Sequence, residues 1–398
     1  VRDASVQRVA GKAMAELPTL ENAFLFVDDG VIADFGGMSQ LPSIKAAHTI
    51  DAAGCFVFPS YVDSHTHLVF AATREEEFVM KIKGATYEQI AANGGGILNS
   101  ARKLRLTPEE ELFEKSVHRA WEVIKTGTGA IEIKSGYGLT VQDELKMLRV
   151  ARRIGKETPL MVKTTLLGAH AVPTGVKKEH YISQVIEEMI PAAAEEKLAD
   201  YVDVFCEHGF FSMEETERIV EEGKRFGLKP RLHANQLYRS GGVQVGVKTN
   251  ALSVDHLENI GDEEIALMKS SSVMPTALPG AAFFLGLPFP PVRKMIEAGL
   301  PVAIASDYNP GSSPSGNINT MLALACIKMK MTPEEAINAV TINTAAALEL
   351  SSQVGSITKG KKANLFITQP ISSVAFIPYS YGNNFIRQVI LNGKLISL

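Results

Sequence analysis

The sequence predicts an α/β protein: a closed, TIM-like (β/α)8 barrel with a small composite β-sandwich domain assembled from both chain ends. Three observations predict it. Between residues 58 and 357, β-prone apolar stretches alternate with helical stretches over short connections, the pattern of a parallel sheet. There are eight such β-prone stretches, the number at which that sheet closes. Residues 1–57 and 358–398 read instead as β-rich, and neither end is large enough to hold a core alone.

The elements follow in order. Ala23–Val27 and Val31–Phe35 flank Asp28-Asp29-Gly30, a hairpin signal, and Asn392-Gly393 marks a second turn near the C-terminus. The barrel strands are expected to end at His67, Ser135, Leu167, Cys206, His233, His256, Thr276 and Asp307. Pro275 is awkward inside a central strand because it cannot donate to the ladder. Thr107-Pro108-Glu109-Glu110 and Thr332-Pro333-Glu334-Glu335 read as capping boxes that start helices. Ser212 and Thr140 begin similar signals, and Gly127, Gly155, Gly227 and Gly299 mark helix ends. Gly94-Gly95-Gly96 reads as a loop able to act as a lid.

Composition narrows the function. A chain of 398 residues accommodates a barrel and a smaller domain. Its 45% hydrophobic and 21% charged content is that of a globular protein in water. A net charge of -4 makes no case for nucleic acid or an anionic membrane surface. No apolar run is long enough to span a bilayer. Val1 to Leu20 carries charges throughout, with no signal-peptide core. Cys55, Cys206 and Cys326 are scattered, which fits a reducing cytoplasm better than a disulfide framework. The expected partner is a small molecule; large apolar surfaces allow a homodimer, but no stretch marks its interface.

Active-site groups of such a barrel come from the C-terminal ends of different strands. His65 and His67 end the first strand, His233 the fifth, His256 the sixth and Asp307 the eighth, while His170 follows the third. Residues two apart on a strand share a face, so His65 and His67 aim two imidazoles at one point. Three histidines and a carboxylate make a site for Zn²⁺ or iron with a position left for water. His208, in Cys206-Glu207-His208-Gly209, also sits at a strand end, whereas His48 and His118 do not.

Phe58 to Arg74, with His65-Thr66-His67-Leu68-Val69-Phe70, resembles the first barrel strand of the amidohydrolase superfamily. It resembles the imidazolonepropionase family more narrowly, on Lys83–Tyr87, Gly94–Ile97, Ile133–Leu139, Gly168–Pro173, Asp203–His208 and Ser306–Ser312. The resemblance implies metal-dependent hydrolysis of 4-imidazolone-5-propanoate to N-formimidoyl-L-glutamate, a step of histidine degradation. It implies one divalent or trivalent ion, Zn²⁺ or iron, on His65, His67, His233 and Asp307. It implies substrate contacts at Arg74, Tyr137, His170, Gln236, Asn309, Gly311 and Ser312, with Tyr87 as a further contact. A guanidinium matches a carboxylate bidentately, so Arg74 would hold the propanoate, with Tyr137 as a second donor.

One departure changes the assignment of roles. Family members commonly carry an acidic residue after His-Ala, then Glu or Gln; this chain has Asn235 and Gln236. An amide cannot accept a proton at neutral pH. Gln236 is therefore assigned to orienting substrate and Asp307 to the base role, with His256 assisting. The metal, His256 or His170 is expected to stabilise the oxyanion. Two rivals remain at this stage. One is an amidohydrolase acting on another cyclic amide or deaminating a heterocycle, with Lys163 or Glu207 as a bridging ligand if it holds two metals. The other is an inactive barrel serving as a binding protein.

Overall fold

The computed structural model describes residues 1–43, 45–85 and 95–397. Near the N-terminus, β1 (Ala23–Asp28) and β2 (Val31–Gly37) form an antiparallel hairpin. Its turn residues Asp29 and Gly30 both have positive φ, 44° and 79°, as an Asp-Gly hairpin requires. β3 (Val57–Pro59) runs, across Ser60 alone, into the first barrel strand.

The barrel strands are β4 (Tyr61–Asp63), β5 (Thr128–Lys134), β6 (Met161–Ala169), β7 (Tyr201–Cys206), β8 (Lys229–Ala234), β9 (Ser253–His256), β10 (Met274–Ala277) and β11 (Ala303–Ile304). They pair in strict sequence order, all parallel. β4 and β11 meet beyond their formal ends: Thr66 bridges Tyr308, the Asp307 amide donates to the His65 carbonyl at 3.0 Å, and His67 donates to Tyr308 at 2.9 Å. Pro275 is accommodated within β10 because pairing to β11 begins only at Thr276. The C-terminal strands β12 (Leu365–Thr368), β13 (Ile386–Leu391) and β14 (Lys394–Ile396) join β3 in a four-stranded antiparallel sheet. Both chain ends thus build sheet outside the barrel, as the sequence predicts.

Helices on the outside of the barrel bury their apolar stripes against the strands. Thr332 and Ser212 close full capping boxes with Glu335 and Glu215, and Thr140 accepts from the Asp143 amide. Two expectations need correction. Thr107 caps nothing at the start of the Glu109–Lys125 helix; its hydroxyl donates backward to the Lys103 carbonyl at 2.9 Å and ends the preceding helix, Ile97–Leu106. Gly155 is not a helix end but lies inside Val141–Glu157, where a Cβ would come within 3.0 Å of Val162 on β6. The glycine there serves close helix–sheet packing.

These differences make the two threonines unequal. Thr332→Ala is expected to cost about 1 kcal/mol of stability, the usual worth of an N-cap. Thr107→Ala is expected to cost less, and urea unfolding of the two variants side by side measures the difference.

Candidate active site

The polar groups gather at the C-terminal mouth of the barrel. His65 and His67 lie just past β4, His233 on β8, His256 at the end of β9 and Asp307 just past β11. All five are at most 3% exposed. Asn235, His256 and Asp307 have φ of 56°, 85° and 53°, left-handed conformations that L-residues adopt at some cost. The chain reverses sharply at three strand ends and turns side chains inward over the barrel.

The imidazoles are held from behind. His65 Nδ1 lies 2.7 Å from Asp255, His233 Nδ1 lies 3.0 Å from Asp203, and His67 Nδ1 lies 3.3 Å from the Ser135 carbonyl. A carbonyl only accepts, so the His67 proton sits on Nδ1 and its Nε2 offers a lone pair. Carboxylate partners give the other two rings the same orientation. The Nε2 atoms then converge: His67 and His233 are 3.4 Å apart, and Asp307 Oδ1 lies 3.5 Å from His65 Nε2 and 3.7 Å from His67 Nε2. Burial drives the pKa values of His65 and His67 well below the ordinary histidine range, so both rings are neutral. Among the described residues, His65 Nε2 is buried with no hydrogen-bond partner. Facing lone pairs and an orphaned buried nitrogen beside a carboxylate are what a cation would satisfy, and the donor set suits a metal ion. His65, His67 and His233 form one triad close enough for this; His65, His256 and Asp307 form another.

Beneath the imidazoles lies a charge platform that the sequence reading missed. Lys134 Nζ is 2.8 Å from both Glu132 and Asp203 and 3.8 Å from Asp255, and all four side chains are fully buried. Arg231 lies 3.2 Å from Glu132 and 3.4 Å from Asp255, and donates to the Ser64 carbonyl at 2.8 Å. Burial alone would raise the Asp203 carboxyl; His233 and Lys134 hold it well below the usual range. Counted as ionised, three carboxylates face two cations, leaving one negative charge under the cluster. The signal was present as charge at every second position of otherwise apolar strands: Glu132 and Lys134, then Arg231 and His233.

The other predicted positions ring the mouth. His170 Nδ1 is 2.9 Å from the Gly136 carbonyl, and its ring stacks at 5.3 Å on His67. Tyr137 is buried 5.7 Å from His67 and 5.5 Å from His170, ring to ring. Arg74 is paired at 2.7–2.8 Å with Glu77, a residue the sequence reading did not single out. Glu77 also accepts from the Gly96 amide at 3.0 Å and from Asn99. The Arg74 guanidinium packs flush on Gly311, where any Cβ would overlap it. Asn309 spends its side chain on the loop, accepting from the amides of Gly311 and Ser312 and donating to the Asp307 carbonyl. Ser312 donates to Asp307 Oδ2 at 3.1 Å. Gln236 is 8% exposed, and its carbonyl accepts from Asn259. Tyr87 and Gly94 lie outside the described residues. Lys163 is not at the site; it pairs with Asp200 at 3.5 Å. Glu207 braces the amides of His208 and Leu237.

The model of the amidohydrolase family matches residues 56–396. Imidazolonepropionase from Flavobacterium johnsoniae is 58% identical over 100% of this chain and 97% of its own length; that from Christiangramia forsetii is 54% identical over the same shares. The chain belongs to the amidohydrolase family, within its imidazolonepropionases. Among solved structures, this amidohydrolase resembles 5-methylcytosine deaminase from Klebsiella pneumoniae with a TM-score of 0.75 at 17% identity, covering 94% of each chain. An adenosine deaminase from Xanthomonas campestris with bound zinc gives 0.71 at 16%, covering 94% of this chain and 88% of that one. At that identity these two share the fold.

The platform is expected to govern metal affinity. Asp203→Asn is expected to weaken metal binding roughly 10–100-fold, the usual effect of losing a group that orients a ligand histidine. Competition with a chromogenic chelator measures it without recourse to activity.

Proposed function

We propose that this protein hydrolyses the cyclic amide of 4-imidazolone-5-propanoate to N-formimidoyl-L-glutamate, a reading supported by relatives that carry the name imidazolonepropionase. The observation that carries the reading is the meeting, at one barrel mouth, of three convergent imidazole nitrogens with Asp307, and of Arg74 against the loop that follows it. We assign one metal ion, Zn²⁺ or iron, to His65, His67, His233 and Asp307. When bound, such an ion polarises a carbonyl oxygen and acidifies water.

The chain's own residues supply the rest. Arg74 takes the propanoate. Glu77 already occupies its Nε and one Nη2 bond, so the remaining guanidinium N–H groups are turned toward the Gly311 side. Tyr137, beside His67 and His170, is the second donor. His170 has its Nδ1 proton committed to the Gly136 carbonyl, and burial lowers its pKa to about 3. Its Nε2 therefore accepts a ring N–H and cannot donate to an oxyanion, which removes it from one of the two roles the sequence allowed. That donor role falls to His256. Burial opposes its charge, but Glu258 at 3.4 Å overcomes this and raises its pKa, favouring the form with two N–H groups.

Asp307 is the base. Burial raises its pKa, and Ser312 fixes the orientation of its carboxylate. It takes a proton from the water whose oxygen joins the ring carbonyl carbon, and returns a proton to the ring nitrogen as the C–N bond breaks. Gln236 orients the substrate by hydrogen bonds. The same reading expects a small-molecule partner, a cytoplasmic setting and no role for nucleic acid. Exposed apolar side chains such as Phe283 leave room for a homodimer.

Loss of imidazolonepropanoate absorbance, with formimidoylglutamate identified as product, tests the reading; a metal-loaded enzyme without turnover would overturn it. Asp307→Asn is expected to lower kcat by about 10²–10⁴-fold, the range for a positioned acid–base group, while Gln236→Glu retains turnover. Near-normal kcat in metal-loaded Asp307→Asn would remove Asp307 from the base role. Arg74→Lys is expected to raise KM by about tenfold or more through loss of a charged hydrogen bond, with kcat changed less.

A further inference from the structure

One fully buried carboxylate near the site has no cation partner among the described residues and no part in the chemistry above: Glu144, in the first turn of the Val141–Glu157 helix. Burying a carboxylate without a counter-charge is costly unless hydrogen bonds replace water. Glu144 finds those bonds on one short loop. Its Oε2 accepts from the Gly136 amide at 2.8 Å, and its Oε1 accepts from the amides of Gly138 and Leu139 at 2.8 and 2.7 Å. Tyr137 lies between the gripped residues. Gly136 has φ of 109° and Leu139 of 55°, so the loop is held in a left-handed path at both ends. A Cβ on Gly138 would overlap the Glu144 backbone.

We infer that Glu144 is a positioning residue, a clamp that sets both Tyr137 and His170 against the substrate. The route to Tyr137 is the grip on its two neighbours. The route to His170 is a chain of two hydrogen bonds: Glu144 accepts from the Gly136 amide, and the Gly136 carbonyl accepts from His170 Nδ1 at 2.9 Å. Gly136 also approaches His170 so closely that a Cβ would lie 2.8 Å from Nδ1. Moving Gly136 must therefore move the imidazole or free its Nδ1 proton. Two of the proposed metal ligands are braced elsewhere, His65 by Asp255 and His233 by Asp203, while the third, His67, leans on the Ser135 carbonyl one residue before Gly136. The clamp thus acts chiefly on substrate geometry, and its reach toward the metal runs through His67 alone. Its effect on turnover rests on the reading that Tyr137 and His170 face the substrate.

The full-length Glu144→Gln protein tests this. Gln keeps one acceptor oxygen but turns an NH₂ group toward amide donors. Thr140→Ala is the control, since Thr140 caps the same helix through Asp143 without bonding to the loop. Metal-loaded Glu144→Gln is expected to lower kcat/KM by about 10²-fold, the cost of a misplacement near 1 Å, mostly through KM. Thr140→Ala is expected to lose stability and keep KM. ¹⁵N NMR of the histidine rings supplies a readout independent of turnover: Glu144→Gln is expected to lose the fixed Nδ1–H form of His170. Should Glu144→Gln not fold, Glu144→Asp, a shorter carboxylate, is measured the same way. Kinetics and His170 signals in the variant no different from Thr140→Ala would overturn the clamp. A parent enzyme inactive on the imidazolone, with the His170 signal still shifted in the variant, would uphold the clamp and overturn the substrate instead.

Discussion

The structure depends on keeping five charged side chains away from water inside a barrel. Glu132, Lys134, Asp203, Arg231 and Asp255 are all fully buried. Isolated, each would be too costly to desolvate. Together they pair off, and the carboxylate valences that Lys134 and Arg231 leave over are spent on His65 and His233. The site is thus the upper layer of an ionic network whose lower layer closes the barrel interior. His65 and His233 are each oriented by a carboxylate oxygen that a buried cation holds from the other side. The same constraint dictates tautomers: protons face backward to carboxylates or to the Ser135 carbonyl, and lone pairs face the mouth.

Much of this was legible in the sequence because it is periodic. Alternating β-prone and capped helical stretches revealed the barrel, and His65-Thr66-His67 revealed two groups on one face. Asp29-Gly30 and Asn392-Gly393 revealed turns whose positive φ the structure bears out. What stayed hidden depends on three-dimensional choice. Thr107 can cap the helix after it or end the helix before it, and only the packing of Ile97–Leu106 decides. Gly155 reads as a helix end, yet it serves close approach to Val162. Arg74 could have been a surface side chain among Glu75, Glu76 and Glu77; its buried pairing to Glu77 is a contact that spacing alone does not specify. Glu144 belongs to no motif in the sequence. Its role came from the loop folding back over the helix start.

The departure at Asn235 and Gln236 also reads differently in three dimensions. Asn235 occupies a left-handed turn with φ of 56°, a conformation that asparagine tolerates better than most residues. Its amide donates to the Asn259 carbonyl at 3.1 Å, and Asn259 donates back from its own amide to the Asn235 carbonyl and from its side chain to Gln236. This reciprocal lock shapes the end of β8 next to His233. An uncharged residue suits it, because a carboxylate at 235 could not donate to the Asn259 carbonyl. The absence of acid there is consistent with an intact site, and counts against an inactive barrel.

The barrel seam explains why fold and site cannot be separated. β4 and β11 are the shortest barrel partners and do not pair along their formal lengths. Closure comes later in the chain, through Thr66 with Tyr308, Asp307 with His65, and His67 with Tyr308. These contacts run through the backbones of the proposed ligands His65, His67 and Asp307 and of their neighbours Thr66 and Tyr308. The first and last strands therefore find their register through the segments that carry His65, His67 and Asp307. Asp63 reinforces the seam by accepting from the Ser306 amide at 3.0 Å. A chain that closes this barrel correctly has, by the same hydrogen bonds, brought His65 and His67 to Asp307.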